Sequence, residues 1–115
     1  MAKLDEYRTH VQEILKWYGS FKPLMRESVR EYERQIIFDR ENDHYQIVDV
    51  GWEDYKRIHH CVLHLDIKDG KIWVQHDMTD PGVVERLMER GVPKEDIVLA
   101  FHAPYKRPYT GFAVA

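Results

Sequence analysis

Two periods of hydrophobic residues divide this chain. Over residues 3–18 the apolar side chains fall at Leu4, Tyr7, Val11, Ile14, Leu15 and Tyr18, a spacing that predicts an amphipathic helix with one stripe for a sheet. Gly19 suits the left-handed position just past that helix, and Pro23 prevents its resumption. From Leu24 to Tyr32 the pattern admits a short helical turn on Met25, Val29 and Tyr32 or an extended loop. Beyond it the period shortens to two. Arg34 to Asp39 forms a first strand on Ile36, Ile37 and Phe38, and Glu41-Asn42-Asp43 marks a turn. His44 to Trp52 is a second strand, apolar on both faces and therefore central, where Gly51 suits a bulge or a close backbone approach.

Glu53-Asp54 turns the chain into the hairpin that organises it, Ile58 to Gln75. Asp69-Gly70 between two β-rich runs is a strong hairpin signal, because both turn positions need a positive φ. Regular pairing from that turn sets Lys68 opposite Lys71, Ile67 opposite Ile72, Asp66 opposite Trp73, Leu65 opposite Val74 and His64 opposite Gln75. Cys61, Leu63, Leu65, Ile67, Ile72 and Val74 then share a core face, which His76 also joins by parity. His60, His64, Asp66, Trp73 and Gln75 share a half-polar one.

After Gln75 the signals change. Asp80 is a good N-cap, Pro81 suits the first helical position, and Val84, Leu87 and Met88 make the buried stripe of a helix that Gly91 and Pro93 end. Ile97 to Phe101 predicts another strand or a buried extended segment, while Pro104 and Pro108 argue against regular structure in the tail, from which Phe112 and Val114 dock on the core. The expected fold class is α+β: a single domain over 1–115, with an antiparallel β-meander of about four to five strands, an N-terminal helix and a second helix near 81–90.

Composition sharpens this picture mainly by exclusion. A chain of 115 residues with 43% hydrophobic and 32% charged residues is an ordinary globular domain rather than a disordered one. Its apolar runs are too short to cross a bilayer and its start lacks a signal-peptide stretch, so a cytoplasmic location and no membrane partner are expected. Cys61 is the only cysteine, which excludes an internal disulfide and a cysteine-built zinc site, and its expected face makes it a buried, inert thiol. A net charge of −3 argues against a nonspecific nucleic-acid binder, and the chain lacks a helix-turn-helix pattern.

Three clusters carry candidate chemistry. Among the seven histidines, His60 and His64 lie about 13 Å apart along one strand at roughly 3.3 Å per residue, too far to share an ion. His64 and Asp66 are close enough, but Gln75 faces His64, and His44 or His102 would need tertiary packing to complete a set. A half-exposed polar sheet face explains them without metal. Asp66-Ile67-Lys68 spells the Asp-x-Lys half of a restriction-endonuclease-like site, with Asp49 as the available upstream acid, although a lysine beside a hairpin turn commonly serves solubility. His102 and Tyr105-Lys106-Arg107-Pro108-Tyr109 interleave basic and aromatic residues, suited to stacking on bases, to a protein interface or simply to pinning a tail. Phosphate loops, dinucleotide fingerprints and nucleophile elbows are absent from the sequence, and no cofactor is expected.

The ordered set Asp43-His44-Tyr45-Gln46, Val50-Gly51-Trp52, His64 through Gln75, Gly91 through Leu99 and Phe101-His102-Ala103-Pro104 resembles the XisI family, the fdxN-element excision controlling factors of cyanobacteria. The likeness spans essentially the whole chain; residues 23–32 look like a local variant. The resemblance implies a small α+β protein linked to programmed DNA rearrangement during heterocyst development. It implies a role beside a site-specific recombinase and an XisH-like protein of endonuclease fold, whose genes often neighbour those of XisI type. It brings no catalytic residues.

The favoured expectation is therefore a non-enzymatic accessory factor that binds an XisH-like partner and contacts DNA only indirectly or through it. The expected contact residues are His60, His64, Asp66 and Trp73 on the half-polar face, with His102, Tyr105, Arg107 and Tyr109 in the tail. Packing under the first helix is the alternative use of Trp73. The alternative function is a metal-dependent nuclease using Asp66 and Lys68. An exposed sheet face or edge also admits a homodimer.

Overall fold

The apolar stripe of the first segment folds as α1, Ala2–Gly19, and buries Tyr7, Val11, Ile14, Leu15 and Tyr18 against one sheet. A computed structural model describes residues 2–20, 30–80 and 82–115; the readings made at Pro23, over 24–29 and at Pro81 lie outside the described residues. Gly19 is the last helical residue and not a left-handed cap. A Cβ there would run into the side chain of Ile36, so glycine serves close approach to the sheet.

Five strands follow: β1 Arg30–Asp39, β2 His44–Glu53, β3 Lys56–Lys68, β4 Lys71–Asp77 and β5 Ile97–Leu99, in spatial order β1-β2-β3-β4-β5. The ambiguous stretch thus ends in strand from Arg30. The first four strands pair antiparallel as a meander, but β5 runs parallel to β4, so the sheet is mixed. A strand that returns to the same sheet through a crossover helix runs parallel to its predecessor. That helix is α2, Val83–Glu89. Its N-cap is Gly82, not Asp80; Asp77 reaches it from the end of β4 and accepts the Val83 N–H at 2.9 Å. At the other end Gly91, at φ 89°, donates to Met88 O and Val92 donates to Leu87 O, a Schellman closure that buries Val92.

Asp69 and Gly70 both take positive φ, and the hairpin register matches from Lys68↔Lys71 to Leu65↔Val74. There it slips. Gln75 is an extra residue, so His64 faces His76 and Leu63 faces Asp77. A second slip in β3 leaves Val62 extra between the pairs Ile47↔Leu63 and Val48↔Cys61. Each bulge inverts the in–out alternation beyond it. His76 is consequently exposed rather than in the core, and Asp77 turns to the helix side, where it caps α2. Cys61 leaves the core face for the opposite side, half-buried opposite Val48, and Val62 takes its place in the core. His60 moves the other way, opposite Asp49 and off the face it was expected to share with His64.

One face of the sheet is covered. Tyr45, Ile47, Leu63, Leu65, Ile67, Ile72 and Val74 pack with α1 and α2 into one core, each apolar side chain contributing about 1.5–3 kcal/mol on burial. Gly51, at φ 149°, lets β1 cross close over β2: a Cβ would collide with Glu31 O and the Tyr32 backbone. On the same side Asp49, 3% exposed, holds Arg34 in a two-pronged pair at 2.8 and 2.9 Å. The tail is more regular than its prolines suggest. Pro104–Tyr109 forms a 3₁₀ turn, Ala113 bridges to Val98 along the outer edge of β5, and Phe112 packs on the core while Val114 stays exposed. The strand after α2 stops at Leu99, leaving Phe101 exposed.

Candidate functional site

The uncovered face of the sheet carries the chemistry. Register places His44 of β2 opposite Asp66 of β3, and Asp66 opposite Trp73 of β4. His44 Nδ1 and His64 Nε2 each lie 2.8 Å from the same carboxylate oxygen, Asp66 Oδ1, while Gln75 donates to Asp66 Oδ2 at 3.1 Å. The shared hydrogen bond to Asp66 raises the pKa of His44, burial opposing it only in part.

The bulge in β3 is required for this cluster. Regular pairing counted back from the Glu53↔Lys56 end would set His44 beside Leu65; the extra Val62 shifts it onto Asp66. Gln75, the extra residue of β4, lies on the open face in either register and there donates to Asp66. His44, which the sequence admitted only through tertiary packing, joins instead by strand pairing from β2, whereas the third group was sought across from His64 in β4. His102 follows β5 in a turn and lies outside the cluster.

Trp73 lies on the face away from α1, not beneath it. Lys68 Nζ at 4.8 Å and the Arg107 guanidinium at 5.5 Å both lie over its ring, and its Nε1 donates to Lys68 O at 3.1 Å. Arg107 also ties the tail together, donating to the carbonyls of His102, Ala100 and Val114. Tyr105 and Tyr109 project outward, 73% and 90% exposed. The Asp-x-Lys arrangement does not gain its upstream acid: Asp49 points to the helix side, committed to Arg34, while Asp66 and Lys68 serve the open face and its Trp73 edge.

Toward β1 and β2 the open face changes character. Cross-strand pairing aligns Ile37 with Gln46, Val48 with Cys61, Val50 with His59 and Trp52 with Arg57. Ile37 and Trp52 are 46% and 47% exposed, and Arg57 lies over the Trp52 ring at 5.5 Å. Glu31 and Glu33 stand on the same face at its outer strand.

Residues 1–114 match the family model described as XisI protein. The chain is similar to a XisI-like protein from Anabaena variabilis, at 46% identity over 97% of this chain and 99% of that one, with a TM-score of 0.86. It is also similar to the fdxN element excision controlling factor XisI from the same organism, at 37% identity over 98% of this chain and 99% of that one, with a TM-score of 0.84. No curated protein matches. The match of nearly the full length, in sequence and in fold, shows that this chain belongs to the XisI family.

Proposed function

We propose that this chain is a non-enzymatic controlling factor in the excision of a DNA element, acting by binding an XisH-like protein of endonuclease fold. The kinship to a fdxN element excision controlling factor supports the process. The observation that carries the mode of action is the bare sheet face, with an apolar centre at Ile37, Val48, Val50 and Trp52 and an acidic rim at Glu31 and Glu33. Apolar residues within a charged rim suit a protein surface. Carboxylates along that rim repel a phosphate backbone, so DNA is reached through the partner. Tyr105 and Tyr109, at the far end of the sheet, extend the contact surface.

The test is association with an XisH-type protein, measured by size-exclusion chromatography with light scattering. A mixed complex is expected at micromolar concentration, weakened at least about tenfold by Trp52→Ala, a loss typical of an interface anchor. Tyr109→Ala should weaken it less. Arg107→Ala is a poorer probe, since it also releases three tail carbonyls. Two separate peaks would overturn the partner, and DNA cleavage by the pure chain with Mg²⁺ would overturn the non-enzymatic reading.

A further inference from the structure

The geometry points to a divalent transition-metal site on the open face, built by His44, His64 and Asp66, with Zn²⁺ as the ion it fits first. The three donor atoms lie within 4.8 Å of one another, drawn from two adjacent strands whose backbones are fixed by the ladder. A tetrahedral ion with bonds of about 2.0–2.1 Å spaces its ligand atoms roughly 3.3 Å apart. To admit it, the two imidazole–carboxylate distances of 2.8 Å open by about half an ångström, and the two ring nitrogens, within 4.8 Å of each other, settle to the same spacing.

Three features separate this cluster from a chance patch of polar side chains. Both imidazoles hydrogen-bond with one oxygen, Asp66 Oδ1, so the three donor atoms are already gathered in one place. Gln75 holds the other oxygen, Oδ2, as an outer partner that would fix the carboxylate as a single-oxygen ligand. The bulge in β3 aligns His44 with Asp66, and bulges recur where a side chain is re-aimed beside a functional site.

The donor set selects the ion. Two imidazole nitrogens and one carboxylate suit zinc and its neighbours, whereas calcium and magnesium prefer oxygen cages. Either tautomer of His44 and His64 is available, since transferring each N–H to the other ring nitrogen turns a hydrogen-bond donor into a ligand. The neutral imidazoles and the carboxylate leave a bound divalent ion with one positive charge, and half of the His44 side chain stays exposed. The remaining coordination position therefore opens to solvent, available to water or to an anionic group.

Tag-free protein, stripped by chelator and dialysed, is titrated with Zn²⁺ by calorimetry and with Co²⁺ by visible absorption. One ion per chain is expected, with a rise in Tm that follows ion concentration. Affinity should fall at least about 100-fold in His64→Gln and Asp66→Asn, and about 10–100-fold in Gln75→Leu, as for loss of an outer-shell partner. His10→Gln, whose imidazole faces Arg90 on the helix side, should bind like wild type. His44→Gln, altering a half-exposed side chain, gives the same reading if either buried-side variant melts early. Absence of saturable binding to wild type, or equal affinity in His44→Gln and wild type, would overturn the site. Neither result bears on partner binding, which is read separately in metal-free buffer.

Discussion

Along β3 the residues Leu63, Leu65 and Ile67 alternate with His64 and Asp66, and the two sets live in different physical worlds. The first set is sealed under α1 and α2 and does nothing but hold the domain together. The second hydrogen-bonds across the strands on a face that no helix among the described residues covers. One strand thus supplies stability from one side and, in the function proposed above, recognition from the other, with the backbone ladder as the rigid element shared by both. Residues on the open side can be altered with little effect on folding, which is what a binding surface on a small domain requires.

The largest effect breaks that contrast directly. Leu63→Ala should destabilise the protein by about 2–5 kcal/mol, through lost transfer energy and the cavity left behind. His64→Ala, one residue away, should cost less than about 1 kcal/mol, since Asp66 keeps His44 and Gln75. Urea denaturation of both variants measures the difference; equal losses would mean the open face is covered by packing of its own.

A second prediction concerns how the covered side is tied to the turn after β1. Asp43, at φ 57°, accepts both prongs of Arg8 at 2.9 and 3.0 Å and the hydroxyl of buried Tyr45 at 2.8 Å. Arg8 first, and then Tyr45, hold its carboxyl below the usual aspartate range against the pull of burial. The same contact and, above all, burial push the Tyr45 hydroxyl up to about 12. Because the folded pKa of Asp43 is depressed, its contribution is complete above the unfolded value of about 3.9 and is lost as pH falls through the folded value. Asp43→Asn keeps a residue that tolerates positive φ, and should cost about 1–3 kcal/mol at neutral pH, the range for hydrogen bonds to a charged group. Its acid limb should be flatter than that of wild type. Part of the slope will persist, from Asp39, held low by the Asn42 amides, and from Asp96, where burial is outweighed by Lys3 and Tyr7. Parallel acid limbs in the two proteins would rule out Asp43 as a contributor.

What the sequence disclosed and what it hid follow the same division. The helical stripe from Tyr7 to Tyr18, the Asp69-Gly70 hairpin and the apolar run Leu63-Leu65-Ile67 were legible because burial imposes a period. The parallel β5 was also signalled, by a strand, a helix and a strand in succession, but the short hairpins before it made a simple meander the easier extrapolation. The bulges were not legible. Val62 and Gln75 are ordinary strand residues, and no local preference announces that either is the extra one. The misplaced histidines trace to them: His60 moved to the helix side, His76 moved out, and His44 met Asp66 by strand pairing rather than by the tertiary packing expected of it. The tail failed for a different reason, since Pro104 and Pro108 are compatible with a 3₁₀ turn once Arg107 gathers the neighbouring carbonyls.

The smallest expected effect tests the bulge at Val62 through its neighbour. Regular alternation would bury Cys61 beside Leu63 and Leu65, whereas the slipped register leaves it half-buried across from Val48. Cys61→Ala should then cost less than about 1 kcal/mol, roughly the worth of one small buried group, with no core cavity to add to it. Burial pushes the thiol pKa up, only partly offset by the Leu63 backbone, toward whose carbonyl the S–H points at 3.5 Å. At neutral pH the native thiol should therefore alkylate more slowly than in the urea-unfolded chain, yet measurably, because Cys61 is only half-buried on its side of the sheet. A loss above about 2 kcal/mol, the scale of a core truncation, together with complete protection from alkylation would put Cys61 under α1. The same result would return His44 to a position opposite Leu65, and the histidine–aspartate cluster would lose its geometry.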